Sequence, residues 1–516
     1  PYEVQDYLLP TDKIRITDEI REKASIIAQG NDDSFVIASR IAFWVEENIK
    51  YNLSSLTSEM TQPSDWVLQN RQGVCDELTV LYIAMLRSIG IPARFVSGIS
   101  FTNTDLFKKP YGPHAWAEVW LGEWVPVDIV YKEFGFIDAG HIKLLEGTDK
   151  TESALYSWKT TSDNDIKIDE LKIDANLETS SPVKEKRIGI EAYPVEKVVS
   201  LDSKQVFAVK VRNNNDFYVS SSIMAGETEN LNFFEKEKHF TLAPREEKTL
   251  FFTAYFAEEL DNTLIYTYPV EFYLSSGESA STYFIARRDG RRITYEQLSL
   301  FRDDEPSMNE NIKLRVDCDN RGEYYLYEHA KITCNIKNIG NSILKDIKVC
   351  VDSDCEDRIL YLNDQVFVEK EIENIIGNKT FNISLHYEDE VYTETYHYSV
   401  AEKPTVIIEN IESPPSVSLG DFVFVNFTIN QISNVKNAKL IVRVNKLSDA
   451  LTLSEKKSSY SYKLDTSRMK KNNRIIIIVE YDDINRRHYY EQKELMLSVT
   501  AKGFFGRLRL FLNSLF

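Results

Sequence analysis

The hydrophobic pattern changes period once, near residue 150, and that change limits the possible folds more than composition does. Before it, Leu78, Leu81, Tyr82, Met85, Leu86 and Ile89 recur at helical spacing, with Val80, Ile83 and Ala84 filling the remaining surface. A helix apolar nearly all round is buried, so this segment predicts the centre of an α+β core. Gly90 and Pro92 stop it. After residue 150, period-2 strands take over and long helical periodicities disappear. A chain of 516 residues is too long for one core, and several domains are expected.

Cys75 stands where the loop Gly73-Val74 turns into that buried helix. Unpaired N–H groups and the helix dipole at this end favour an anion, so they act to lower the thiol pKa. Asp76 and Glu77 oppose a thiolate, and an imidazolium on the far side of the sulfur has to outweigh them. Downstream, His114 opens the alternating strand His114-Ala115-Trp116-Ala117-Glu118-Val119-Trp120, and Asp128 closes Trp124-Val125-Pro126-Val127-Asp128. Thiol, imidazole and carboxylate together supply a nucleophile, a base and a group that orients the base.

Strand parity tests that set. His114 and Asp128 face the same side only if Trp120 lies opposite Trp124, which requires the odd loop Leu121-Gly122-Glu123. Trp116 then faces Asp128, and His114 is its diagonal neighbour, within imidazole reach. A two-residue turn would separate the pair. One cysteine and one histidine without CxxC or HExxH spacing do not make a metal cage, and no metal or cofactor is expected. Taken singly, a buried cysteine or a strand histidine is ordinarily structural. Their joint placement is what points to catalysis.

These segments resemble the transglutaminase-like superfamily of papain-type cysteine enzymes. The likeness runs through Gly73-Val74-Cys75, Leu86 to Gly98, His114 to Val119 and Trp124 to Asp128, with Ile41 to Tyr51 similar to the family's leading helix. The resemblance implies a catalytic triad of Cys75, His114 and Asp128, with the Cys75 N–H and Gln69 as oxyanion donors. Thr79 departs from the small residue common at its position. The likeness covers the first quarter of the chain.

The remainder bounds the setting. A net charge of −19 and no basic stripe argue against nucleic acid as a partner. Cys318, Cys334, Cys350 and Cys355 cluster in a strand-rich segment and read as two disulfides, most simply Cys318–Cys334 and Cys350–Cys355, with a four-thiolate zinc site the alternative. In an oxidising compartment the odd Cys75 is then the reactive thiol. Sequons at Asn52, Asn378, Asn382 and Asn426, and a first residue Pro1, fit export. The expected location is extracellular or at the cell surface, with membrane association through the tail as one expectation. No apolar run of about 18 residues occurs.

The expected organisation is a catalytic α+β domain (1–150), a polar linker or peripheral segment (151–186), three immunoglobulin-like β-sandwiches (187–300, 301–401 and 402–500) and an amphipathic helix (501–516). Each sandwich repeats a strand ending in Asn or Gln: Val211-Arg212-Asn213, Ile336-Lys337-Asn338, Ile429-Asn430-Gln431. This recurrence resembles prokaryotic surface-protein modules. Asp163-Asn164-Asp165 reads as a solvated turn. In the tail, Phe504, Phe505, Leu508, Phe511, Leu512, Leu515 and Phe516 share an arc, Arg507, Arg509 and Asn513 fall outside it, and Leu510 is the exception. Such a helix suits a membrane interface, the last sandwich or the start of an anchor. Two functions compete: an exported thiol enzyme acting on a protein or peptide substrate, hydrolysis favoured over cross-linking, and a surface protein whose enzyme-like domain only binds.

Overall fold

Residues 2–52, 61–102, 111–149, 175, 187–303, 309–445 and 447–515 are described by the computed structural model. The expected linker 151–186, apart from Ala175, and the turn at 163–165 lie outside the described residues. The chain divides into two units, Pro1–Val316 with Asn335–Ile347 and Asp357–Val366, and Asp317–Cys334 with Lys348–Glu356 and Phe367–Phe516.

In the first unit, α1 (Asp18–Ala28) starts at the Thr17 hydroxyl, and α2 (Ser34–Asn48) at the Asp33 carboxylate, which accepts the N–H groups of Phe35 and Val36. The leading helix ends at Asn48. The next residues form β1 (Lys50–Tyr51), parallel to β2 (Gln72–Gly73) just past the short α3 (Ser64–Asn70). Helix α4 (Cys75–Ser88) is the central element. Val80 to Leu86 are fully buried and touch α1, α2 and α3. Gly90 takes φ +89° just beyond its end, a conformation that suits glycine.

Five strands follow: β3 (Ala93–Phe101), β4 (Tyr111–Trp120), β5 (Trp124–Asp128), β6 (Glu133–Phe134) and β7 (His141–Gly147). They lie in the order β7-β3-β4-β5-β6. The β4–β5 hairpin has the register that parity demands, with Trp120 opposite Trp124 and Gly122 at φ +99° in the loop.

The sheet does not stop at β6. Through Phe134 opposite Ser220 it continues into β11 (Val219–Ala225) of the first all-β module. That module comprises β8 (Ile188–Pro194), β9 (Val198–Val199), β10 (Gln205–Asn213), β11, β12 (Leu231–Phe233), β13 (Glu237–Leu242), β14 (Glu247–Phe256), β15 (Tyr266–Leu274) and β16 (Ser279–Ala286). A second sheet, β12-β14-β10-β8, faces the long one. Phe207, Phe252, Phe272 and Phe284 fill the space between.

Two further modules follow, each a three-stranded and a five-stranded sheet. In the last, Phe422–Gln431 lies between Val406–Glu412 and Lys457–Asp465, and alternate residues Val423, Val425, Phe427 and Ile429 enter the core. Disulfides join Cys318 to Cys334 and Cys350 to Cys355. The helix Gly503–Leu515 rests on the last module through Leu510, the exception in the apolar arc, while Asn513 donates to the carbonyls of Ser467 and Met469. Among the described residues no helix is long and apolar enough to cross a membrane.

Candidate active site

Cys75 is the first residue of α4 and is half-buried. The helix starts without a side-chain cap from Val74; instead Glu77 reaches back, its carboxylate accepting the N–H groups of Val74 and Gln62, each at 3.0 Å. Glu77 is therefore a buried brace of the loop. Asp76 accepts a hydrogen bond from Thr61 (2.9 Å) and one from the Cys75 thiol (3.4 Å). On the other side, the Ala115 N–H donates toward the sulfur, which sets Cys75 against β4 one residue from His114.

Burial pushes the thiol well above its ordinary value, and the Asp76 carboxylate adds to this. The Ala115 N–H acts the other way and is outweighed. The expectation of a thiol lowered by the helix terminus is thus reversed in the resting site: burial and a carboxylate in direct contact exceed a dipole.

His114 is 7% exposed and Asp128 fully buried. His114 Nε2 donates to Asp128 Oδ2 at 2.5 Å, across the diagonal of the hairpin. With Nε2 engaged, Nδ1 is the ring nitrogen turned away from Asp128. The Tyr131 N–H donates to Asp128 Oδ1 at 3.0 Å. Burial alone would raise Asp128, but His114, a second histidine and the Tyr131 N–H, all hydrogen-bonded to it, hold it well below the usual carboxylate range. Opposite His114 on β3 stands Gly98, where a Cβ would lie 2.7 Å from the Trp116 ring, so the indole beside the histidine requires glycine there.

The second histidine is His141, which sequence reasoning missed. It is the first residue of β7, and its Nε2 meets the same Oδ2 of Asp128 at 3.1 Å while Nδ1 meets Asp138 at 2.8 Å. Gln69 is exposed on α3, and the polar contacts of the sulfur are with Asp76 and Ala115. A cleft of about 850 Å³ with Phe35, Trp120, Trp124, Phe217 and Tyr218 among its walls does not include Cys75.

His114, Asp128 and His141 converge closely enough to share a cation, as do Glu133, Asp138 and His141. In both groups the facing atoms are already spent on one another: Asp128 Oδ2 accepts from both imidazoles, and His141 Nδ1 donates to Asp138. The donor set is that of a proton network. Its hydrogen bonds run from His114 through Asp128 and His141 to Asp138.

Residues 21–129 match the sequence profile of the Transglutaminase-like superfamily, so the N-terminal part of the chain is a transglutaminase-like domain. A protein of Mycobacterium leprae (strain TN), itself uncharacterized, is 27% identical over 171 residues. The match covers 32% of this chain and spans only about 60% of that relative's length. A structure from Cytophaga hutchinsonii described as a candidate cysteine protease is 24% identical, covering 29% of this chain and 48% of the other, with a TM-score of 0.24. Part of a bacterial ice-binding adhesin is 13% identical, covering 61% of this chain and 98% of the other, with a TM-score of 0.23. Both scores are too low to define a shared overall fold.

Proposed function

We propose that the transglutaminase-like domain is a cysteine-dependent acyl-transfer enzyme acting on carboxamide or peptide bonds. The observation that carries this is the buried His114–Asp128 hydrogen bond, made from a strand that packs against the helix started by the half-buried Cys75. Cys75 Sγ attacks the carbonyl carbon as His114 Nδ1 takes its proton. The C–N bond breaks, and the proton passes to the departing amine. Water then cleaves the thioester, and hydrolysis is favoured over transfer to an amine. Asp128 holds the imidazole tautomer. The Cys75 N–H is the first proposed oxyanion donor and Gln69 the second.

The two disulfides support an extracellular or cell-surface setting, with a protein or peptide as substrate. The raised thiol is also the one observation favouring the second reading, a surface protein whose domain binds without catalysis. Iodoacetamide labelling of Cys75 across pH, with and without His114→Ala, tests the choice. If His114 is the base, its loss slows labelling about 10-fold or more at neutral pH; identical profiles would leave only the binding reading.

A further inference from the structure

We propose that His141 is a positioning residue of this site, holding the Asp128 carboxylate from a second side and sharing its charge, so that His114 remains able to accept the Cys75 proton. The proposal rests on the acyl-transfer reading above.

Strand β3 sets the geometry. Its neighbours β4 and β7 carry the two histidines, with His114 opposite Gly98 and His141 opposite Ser100. The rings come within 5.6 Å and both present Nε2 to Asp128 Oδ2, at 2.5 and 3.1 Å. The Tyr131 ring packs edge-on against both, at 5.0 and 4.9 Å. The His141 side chain is 1% exposed.

Both His141 nitrogens face carboxylate oxygens: Nε2 faces Asp128, while Nδ1 faces Asp138 at 2.8 Å and Glu133 at 3.7 Å. Carboxylates accept and do not donate, so both nitrogens carry hydrogen and the ring is an imidazolium. Burial opposes this charge, but the hydrogen bonds to Asp128 and Asp138, with Glu133 behind them, hold the proton until about pH 10. The groups facing His141 are Asp128, Asp138, Glu133, His114 and Tyr131.

The consequence is electrostatic. A buried Asp128 with His114 as its only imidazole partner would demand that His114 supply more of the neutralising charge. A standing cation on the other side of the same oxygen removes that demand. His114 is oriented by Asp128 while His141 shares the carboxylate's charge.

The test is the pH dependence of Cys75 labelling in the full chain. In His141→Gln, which keeps an N–H donor and removes the charge, Asp128 acts on His114 alone. The thiolate–imidazolium pair is then favoured, and the onset of labelling moves down by roughly one pH unit. A role in folding alone would lower the melting temperature and leave the onset in place. An unchanged or higher onset in folded His141→Gln overturns the proposal. Asp138→Asn, at the exposed end of the network, replaces that variant if it does not fold, with a smaller downward shift expected and the same overturning result. Failure of the acyl-transfer reading is separate: there His114→Ala leaves the wild-type profile unaltered. If His114→Ala changes labelling and His141→Gln does not, only the role of His141 falls.

Discussion

Asp128 in the transglutaminase-like domain and Asn338 in the middle β-module are both completely buried, yet they do opposite work. The Asn338 amide donates to the carbonyls of Ser342, Leu360 and Tyr361, and its oxygen accepts the Gly340 N–H. Asn213 repeats this in the first module, donating to Phe217 and Ala243 and accepting from Asn215. Apart from the Asn215 side-chain amide, which also donates to the Asn213 oxygen, these partners are backbone, so the clamp holds turns together. Asp128 instead accepts from two imidazoles. A buried polar group tied to backbone is architecture; one tied to titratable side chains can move a proton.

The largest expected effect separates chemistry from fold. Cys75→Ala should abolish acyl-enzyme formation, read by mass spectrometry, while the melting temperature stays nearly constant. Surviving activity would remove Cys75 as the nucleophile. Next, Asp128→Asn should lower turnover by about 10,000-fold with the fold retained, because the imidazole loses its orienting carboxylate. Full activity would make Asp128 as structural as Asn338. The reverse case is Asn338→Ala, which strands several buried carbonyls. It should cost roughly 2–3 kcal/mol in denaturant unfolding and leave Cys75 labelling unchanged. Altered labelling would break the distinction.

The two clusters should also differ in pH response. His141 in the folded protein holds its proton to about 10, against an ordinary 6.5. Its stabilisation is therefore whole below pH 6.5 and drains as pH rises toward 10, because the unfolded chain releases that proton first. The Asn338 clamp carries no titrating group. Unfolding free energies from pH 6 to 10 should fall in the wild type and fall less steeply in His141→Gln. Equal slopes would show that His141 is not held as a cation.

What was legible in the sequence follows from the same physics. Cys75, His114 and Asp128 lie on regular elements, where strand parity and one odd turn decide which side chains meet, and the hairpin took that register. His141 follows the turn Asp138-Ala139-Gly140 and begins an irregular strand, so no periodicity marks it; its only sequence signal was being one of seven histidines, close after Asp128. The direction of the thiol shift was misjudged because burial and the Asp76 contact are tertiary. The bridge between domain and module was invisible because β6 is two residues long. In the repeats, Asn213 and Asn338 carry the clamp at the recurring position. The last module places its fully buried Asn at 473, donating to Lys470, while Gln431 is only half-buried. A strand ending in a polar residue marks the turn and not which residue ties it.

The smallest effect is expected at the tail, where the sequence left a membrane interface and docking on the last sandwich as competing readings. The geometry makes them compatible. Leu510 is 8% exposed against the sandwich core, and Asn513 and Ser514 hydrogen-bond to that module, while Phe504, Phe505 and Phe511 are 76%, 83% and 62% exposed. We propose that this outward face meets an anionic lipid surface, with the exposed Arg507 and Arg509 at headgroup level. Replacing the three phenylalanines by serine should release the chain from anionic vesicles and leave the melting curve in place, and added salt should weaken wild-type binding. Leu510→Ala should do the converse, costing about 2 kcal/mol of stability in that module. Co-sedimentation unaffected by the triple substitution would mean that the aromatic face serves something other than lipid. A melting temperature lowered by it would mean that the helix is held by its outer face, contrary to the contacts of Leu510.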